Sequence, residues 1–457
     1  MTPSRADHAS TLLFATLLAS VTVLPSVSTG LFILAALSGI AALRWREHPL
    51  RVRDEARHGW PDVRGFAWPA IAYLGLAVLQ YALGMTESTA VERLLLGGGA
   101  LAWALSGSPL RAGDIRARLL PAAAVGAVLG ACYAALQVYW LGAERAYGPL
   151  GVGPIGNGAI KFGDLAVVLA LLSLVLVIDA RGRADRVFGF AGLAGGMAIV
   201  ALSGSRGALI GFALGAAGLA WAYRHGSRRA HGPAYAAGGG EHPASAGTTA
   251  GTTAGTTAVV SRTATRRMSL LIAASVVLLM SVATFTMSAR FGEIGAQIER
   301  YGEGDARSQT GQRLALWSAA LRSVPHAPLL GVGVNRFDRE IARQVDAGQI
   351  PATVEILYRH VHNEYLCAWA TLGVGGLLSC VAMFVLPIAV AGRRIARGRQ
   401  TPATHAGLAV AIAFAAFALT DCLFDRQITF VVFFLLTAWL MRVGGEDAGA
   451  GARGVRR

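Results

Sequence analysis

Long apolar stretches recur from one end of the chain to the other, broken by short polar connections. They lie at roughly 12–25, 29–43, 66–84, 91–107, 117–141, 164–179, 187–204, 207–223, 268–287, 362–390, 404–422 and 427–441. An α-helix of ~17–25 apolar residues crosses a bilayer, so the pattern predicts an all-α polytopic membrane protein with about twelve transmembrane helices. The shorter runs fit as tilted or kinked helices. Arg5 before the first run gives it a signal-like look, but no small-residue cleavage site follows, and it is kept as a span. Residues 1–287 then carry the first nine helices, 288–361 form one large helical segment outside the membrane, and 362–457 carry the last three helices and a tail. Within 288–361 the pattern predicts an amphipathic helix around 290–301. A second helix follows at 312–321 with Leu314, Trp317 and Leu321 on one stripe, and then a charged helix after a turn-rich piece at 328–337.

Composition agrees with a bilayer as the solvent. Of 457 residues, 54% are hydrophobic and only 15% charged, with a mean hydropathy of +0.51. A soluble domain of this length cannot hide so much apolar surface. The net charge of +15 raises the question of nucleic acid, but its distribution answers it. Arginines crowd into alternate connections: 44–64, 111–118, 181–186, 224–267, 393–399 and 453–457. These share one side if both termini are cytoplasmic, as the positive-inside rule requires, so no nucleic-acid partner is implied. Cys132, Cys367, Cys380 and Cys422 fall within predicted spans and read as small buried hydrophobes, without disulfide or zinc spacing. The stretch 224–267, with three Gly-Thr-Thr-Ala copies between Gly247 and Ala258, reads as a disordered cytoplasmic linker. Gly211 and Gly215 mark close helix packing, and the Gly331-x-Gly333 pair is too weak to suggest a nucleotide.

Basic residues that remain on the opposite, outward side are the informative ones. They are Arg145, Lys161, Arg206, a set within 288–361, and Arg426. Lys161 is the only lysine in the chain and sits just before the span beginning near Asp164. Arg206 lies in the short turn Ser203-Gly-Ser-Arg-Gly207. A charge so near the hydrocarbon edge is costly unless paired. The plain structural reading has both side chains snorkel or pair with Glu144, Asp164 or a lipid phosphate. Together on one face they suit an anionic ligand held at membrane level. His362 and Asn363 stand where the long span near 362 begins. Their structural reading is a helix cap, but an imidazole ordinarily titrates near ~6.5 and can take a proton at ambient pH. His360 is a rival for that role which spacing does not separate from His362. Glu303 and Asp305 imitate an acidic metal-binding pair but read as solvated turn residues, so no metal or other cofactor is expected.

Three stretches carry a resemblance: Leu202-Ser-Gly-Ser-Arg-Gly-Ala208; Gly311-Gln-Arg-Leu-Ala-Leu-Trp317 with Pro328 to Phe337; and His362-Asn-Glu-Tyr-Leu366 with Gly373. In order, spacing and sidedness the chain resembles the O-antigen ligase family, relatives of the lipid-linked O-antigen polymerases, over roughly residues 190–390. That resemblance implies a GT-C-type membrane glycosyltransferase of the bacterial inner membrane. It implies a donor, an undecaprenyl-diphosphate-linked polysaccharide, and an acceptor, lipid A–core, meeting on the periplasmic face. It also implies catalytic roles for Arg206, Arg313 and His362. Lys161, Arg206, Arg313, Asn363, Arg145 and His360 are the expected substrate-binding set. Arginine suits a departing diphosphate through its forked donors, and the histidine would take the proton of the attacking hydroxyl in a metal-independent, inverting transfer. An O-antigen polymerase, a protein O-oligosaccharyltransferase and, more remotely, a transporter or flippase are the alternatives. Ionisable residues gather at one face rather than mid-span, which disfavours transport.

Overall fold

The computed structural model describes residues 60–88, 115–148, 158–229, 288–354, 360–425 and 427–454, with isolated positions 98, 277 and 281. Apart from those positions, the predicted spans at 12–25, 29–43, 91–107 and 268–287 lie outside the described residues, as do Arg426 and the Thr-Gly repeat. Among the described residues every regular element is helical. In chain order these are α1 (Trp60–Ala82), α2 (Leu120–Ala135, flanked by π turns), α3 (Gly158–Ile178), α4 (Arg183–Ser203) and α5 (Arg206–Arg229). They continue with α6 (Ser288–Gly302), α7 (Gln309–Ser323), α8 (Phe337–Asp346), α9 (Glu364–Ala396), α10 (Pro402–Phe417) and α11 (Gln427–Gly454).

Five of the described segments are long and apolar enough to cross a membrane: Gly65–Ala82, Ile115–Trp140, Gly158–Ile178, Arg183–Ser203 and Glu364–Ala396. Pro402–Phe417 and Val432–Gly445 are shorter apolar helices. Each overlaps a predicted span, and the chain is a helical membrane protein. Helix α5 overlaps the expected span 207–223 but continues to Arg229, so the first residues of the expected linker are helical.

Helix α3 is the axis of the bundle, buried along almost all of its length from Lys161 to Val177. A helix apolar on every side belongs inside a bundle rather than against lipid. Small residues let its neighbours close on it. A Cβ at Gly196 of α4 would meet the Ala170 side chain at 2.7 Å, and one at Gly215 of α5 would meet Leu171 at 2.7 Å. A Cβ at Gly211 would run into the Phe417 ring, so both glycines expected to mark packing do so. Helices α1, α9 and α11 converge on an aromatic cluster of Phe66, Tyr73, Phe384, Phe424 and Phe433, where the Phe384 and Phe433 rings lie 5.1 Å apart. The cysteines are all free; Cys380 and Cys422 are buried and Cys367 is half-buried. Cys132 is exposed, contrary to expectation, because it lies on the outer side of α2.

The segment 288–354 has its own small core. Ala315, Leu316, Ala319 and Ala320 of α7 pack with Phe337 and Ile341 of α8 and with Ile350 and Val354. The stripe expected on α7 is therefore rotated. Leu321 is 51% exposed and the buried face is alanine-rich, because small side chains permit the closer approach.

Helix α9 is broken at Gly373, whose φ of 71° and ψ of −165° are not helical. The interrupted ladder leaves carbonyls that a preceding strap takes up. Val332 N donates to Ala370 O at 2.8 Å and Gly333 N to Thr371 O at 3.1 Å, while Val374 N donates to Pro328 O at 2.9 Å. Gln80 of α1 completes the junction: its side chain donates to Thr371 O at 2.7 Å and accepts from Val334 N at 3.1 Å. Backbone approaches backbone here, and a Cβ at Gly331 or Gly373 would overlap the opposing chain. The Gly331-x-Gly333 pair thus serves close approach at positive φ.

Candidate functional site

The start of α3, the turn between α4 and α5, the start of α9 and the connection between α10 and α11 meet at one end of the bundle. The turn is built from its own sequence. Gly204, at φ 64°, ends α4 in the left-handed conformation, and its N–H returns to Val200 O at 3.1 Å. Ser205 then caps α5, its Oγ accepting from Ala208 N at 3.3 Å. Arg206 is therefore the first residue of α5 and half-buried. Arg145 is fastened to the same turn, its Nε donating to Ser203 O at 2.8 Å. The turn lies against α3, where a Cβ at Gly163 would meet Ser205 at 2.7 Å, and Gly207 lies against Thr420 in the α10–α11 connection.

Asp421 occupies the middle of this convergence and is fully buried. Lys161 Nζ lies 3.3 Å from its Oδ2 and also donates to Cys422 O at 2.7 Å. His362 Nδ1 lies 3.4 Å from Asp421 Oδ1, and the rings of His360 and His362 are 4.7 Å apart, edge to face. Lys161 is 5% exposed and His362 6%. Asp421, a residue not anticipated from the sequence, is thus an ion-pair partner of Lys161. Burial pushes the Asp421 carboxyl up, but Lys161 first, then His362 and His360, outweigh burial and hold it below the usual carboxylate range. Asp164, one turn along α3 from Lys161, is buried, and the fields of Asp421, Lys161 and Arg313 reach it. Helix α7 thus brings Arg313 to the same centre, half-buried.

His362 is held in the left-handed region at φ 54°, which costs a non-glycine residue of order 1 kcal/mol. Its neighbours fix that conformation. Asn363 caps α9, its side chain accepting from Leu366 N at 3.0 Å and donating to Leu419 O at 3.2 Å. Asn363 is therefore a helix cap, and it stands beside His362 at the edge of the cluster. Lys161, His362 and His360 gather at Asp421 and Arg313 acts on the buried Asp164, with Arg206 on the adjoining turn and Arg145 fastened to it. Such a cationic rim around a carboxylate-backed imidazole can bind a polyanion and move one proton beside it. Glu303 is exposed in its turn and Asp305 accepts from Arg307 N at 2.9 Å, and no three metal-ligating side chains converge among the described residues.

Asp421 and Glu364 are the site-forming residues that sequence reasoning passed over. A signal existed for the first: an ionisable residue at the end of an apolar run is a functional candidate by default.

Two comparisons bear on this site. The chain is 22% identical over 277 residues to an uncharacterized protein of Haemophilus influenzae, a match covering 60% of this chain and 59% of that protein. This chain thus spans less than two thirds of that relative's length. Residues 190–381 match the O-antigen ligase family. That stretch, which supplies Arg206, Arg313 and His362, is similar to the O-antigen ligase family.

Proposed function

We propose that the protein is an O-antigen ligase of the bacterial inner membrane, with both termini cytoplasmic and the Asp421 cluster on the periplasmic face. It transfers polysaccharide from undecaprenyl diphosphate to a sugar hydroxyl of lipid A–core. The observation that carries this reading is the buried His362–Asp421–Lys161 array beside Arg206 and Arg313. The acceptor oxygen attacks the anomeric carbon as the bond to the diphosphate oxygen breaks. The leaving diphosphate takes the electron pair and His362 takes the acceptor's proton, inverting the anomeric centre. Asp421 faces Nδ1 of His362 and favours proton uptake through the opposite nitrogen. Arg206 and Arg313 stabilise the growing negative charge, with Arg145, His360 and Asn363 lining the approach. Lys161, packed on Asp421, acts through that carboxylate as well as on the diphosphate. The scheme calls on no metal, so transfer is expected to persist in chelator.

The test is a lipopolysaccharide gel from cells lacking the gene, with lipid-linked intermediates extracted alongside. Bare lipid A–core with accumulated long undecaprenyl-linked polymer is expected. Core carrying a single repeat would instead make the protein a polymerase, and an unchanged ladder would point to protein glycosylation or transport. Complementation by His362→Ala or Arg206→Ala is expected to fail, although both variants insert normally, because loss of a proton acceptor costs typically ~100- to 10,000-fold.

A further inference from the structure

Glu364 has no part in that chemistry, yet it is 1% exposed, within the first turn of α9 and two residues from His362. A carboxylate so deeply buried needs donors, and it has them from two distant parts of the chain. Tyr73 of α1 donates its hydroxyl to Oε1 at 3.1 Å, and Phe424 donates its backbone N–H to Oε2 at 3.1 Å. Its own N–H donates to Ala418 O at 2.7 Å. Residues 418–424 contain Asp421, so three of the tethers around that carboxylate run to the start of α9: Ala418 and Phe424 to Glu364, and Leu419 to Asn363. The fourth, Cys422 O, runs to Lys161.

Resting on the reading of His362 as the base, we propose that Glu364 is a positioning residue. Its carboxylate clamps the α10–α11 connection to the start of α9 and to α1, and so fixes Asp421 against His362. The two ends of the clamp divide the work. Phe424 N–H sets the height of the connection, three residues past Asp421, and Tyr73 stops the Glu364 side chain from swinging away. Both bonds lie away from the proton being moved, so the clamp affects turnover through geometry. Misplacement of a catalytic pair by about 1 Å costs about 100-fold.

The experiment uses the full-length protein in lipid nanodiscs, with undecaprenyl-diphosphate-linked glycan as donor and lipid A–core as acceptor. Glu364→Ala is expected to lower kcat by about 100-fold with little change in donor KM, and to speed amide exchange across 418–425. Glu364→Gln keeps an acceptor for Phe424 and turns its amide donor toward the Tyr73 oxygen, so it is expected to recover kcat to within about tenfold of wild type. Unchanged kcat in Glu364→Ala overturns the proposal, as does a loss of kcat without faster exchange over 418–425. If the alanine variant does not fold, Tyr73→Phe decides: lower kcat with faster exchange supports the clamp, and wild-type behaviour in both overturns it. Full transfer by His362→Ala would overturn the base assignment instead, and the exchange measurements would still judge the clamp.

Discussion

At the scale of single residues, the site is organised by the carboxylate of Asp421. Lys161 approaches it from α3 and His362 from the residue just before the α9 cap, and both are nearly inaccessible to water. Removing one partner of a buried pair is far more damaging than removing both, because the survivor is left charged in a low dielectric. Lys161→Met is therefore expected to destabilise the protein by about 3–5 kcal/mol. Adding Asp421→Asn should return part of that loss, although it leaves transfer abolished. Thermal unfolding of the two single variants and the double variant measures the coupling, and strictly additive losses would refute it. The sign of the pH dependence follows from the depressed Asp421 carboxyl. Its stabilising contribution is present above the ordinary carboxylate range and is lost only on strong acidification, so Asp421 itself stays ionised through neutral pH.

At the scale of elements, the apolar pattern was sufficient to locate the described spans, because hydropathy is a local property and a bilayer reads it directly. It was insufficient where packing depends on a partner. On α7 the apolar pattern predicts Leu314, Trp317 and Leu321 as the buried stripe. The alanines beside them form the fully buried face and Trp317 packs at its edge, since closeness of approach outweighs side-chain size there. Arg206, Arg313 and His362 were legible as short motifs around turns and helix starts. Asp421 was hidden because it closes an apolar run counted as membrane, and the Tyr73–Glu364 bond joins positions 291 residues apart, which no local pattern exposes. Gly373 carries the clearest prediction at this scale. Its left-handed φ and its contact with the Leu329 carbonyl both exclude a side chain. Gly373→Ala is expected to cost at least about 1–3 kcal/mol and to reduce transfer. Unaltered thermal unfolding of this variant would show that the break in α9 is dispensable.

At the scale of the whole molecule, sidedness ties sequence, fold and chemistry together. The α4–α5 turn and the start of α9 belong to one end of the bundle, and the arginine-rich connections at 181–186 and 393–399 to the other. In the proposed topology, which follows the positive-inside rule, the Asp421 cluster faces away from the cytoplasm. Alkaline phosphatase fused within 346–350 should be active, and a fluorescent protein fused after Arg457 should glow. The reverse pair would invert the topology. The site's three core groups also come from widely separated moments of synthesis, in the order Lys161, His362 and then Asp421. Lys161 is therefore made long before the carboxylate it pairs with, and the centre assembles only once α10 and the connection to α11 follow. A ribosome that stops before residue 421 releases a chain with most of its helices and no assembled centre. On the roles proposed above, such a chain is expected to be inactive until residue 421 has been made.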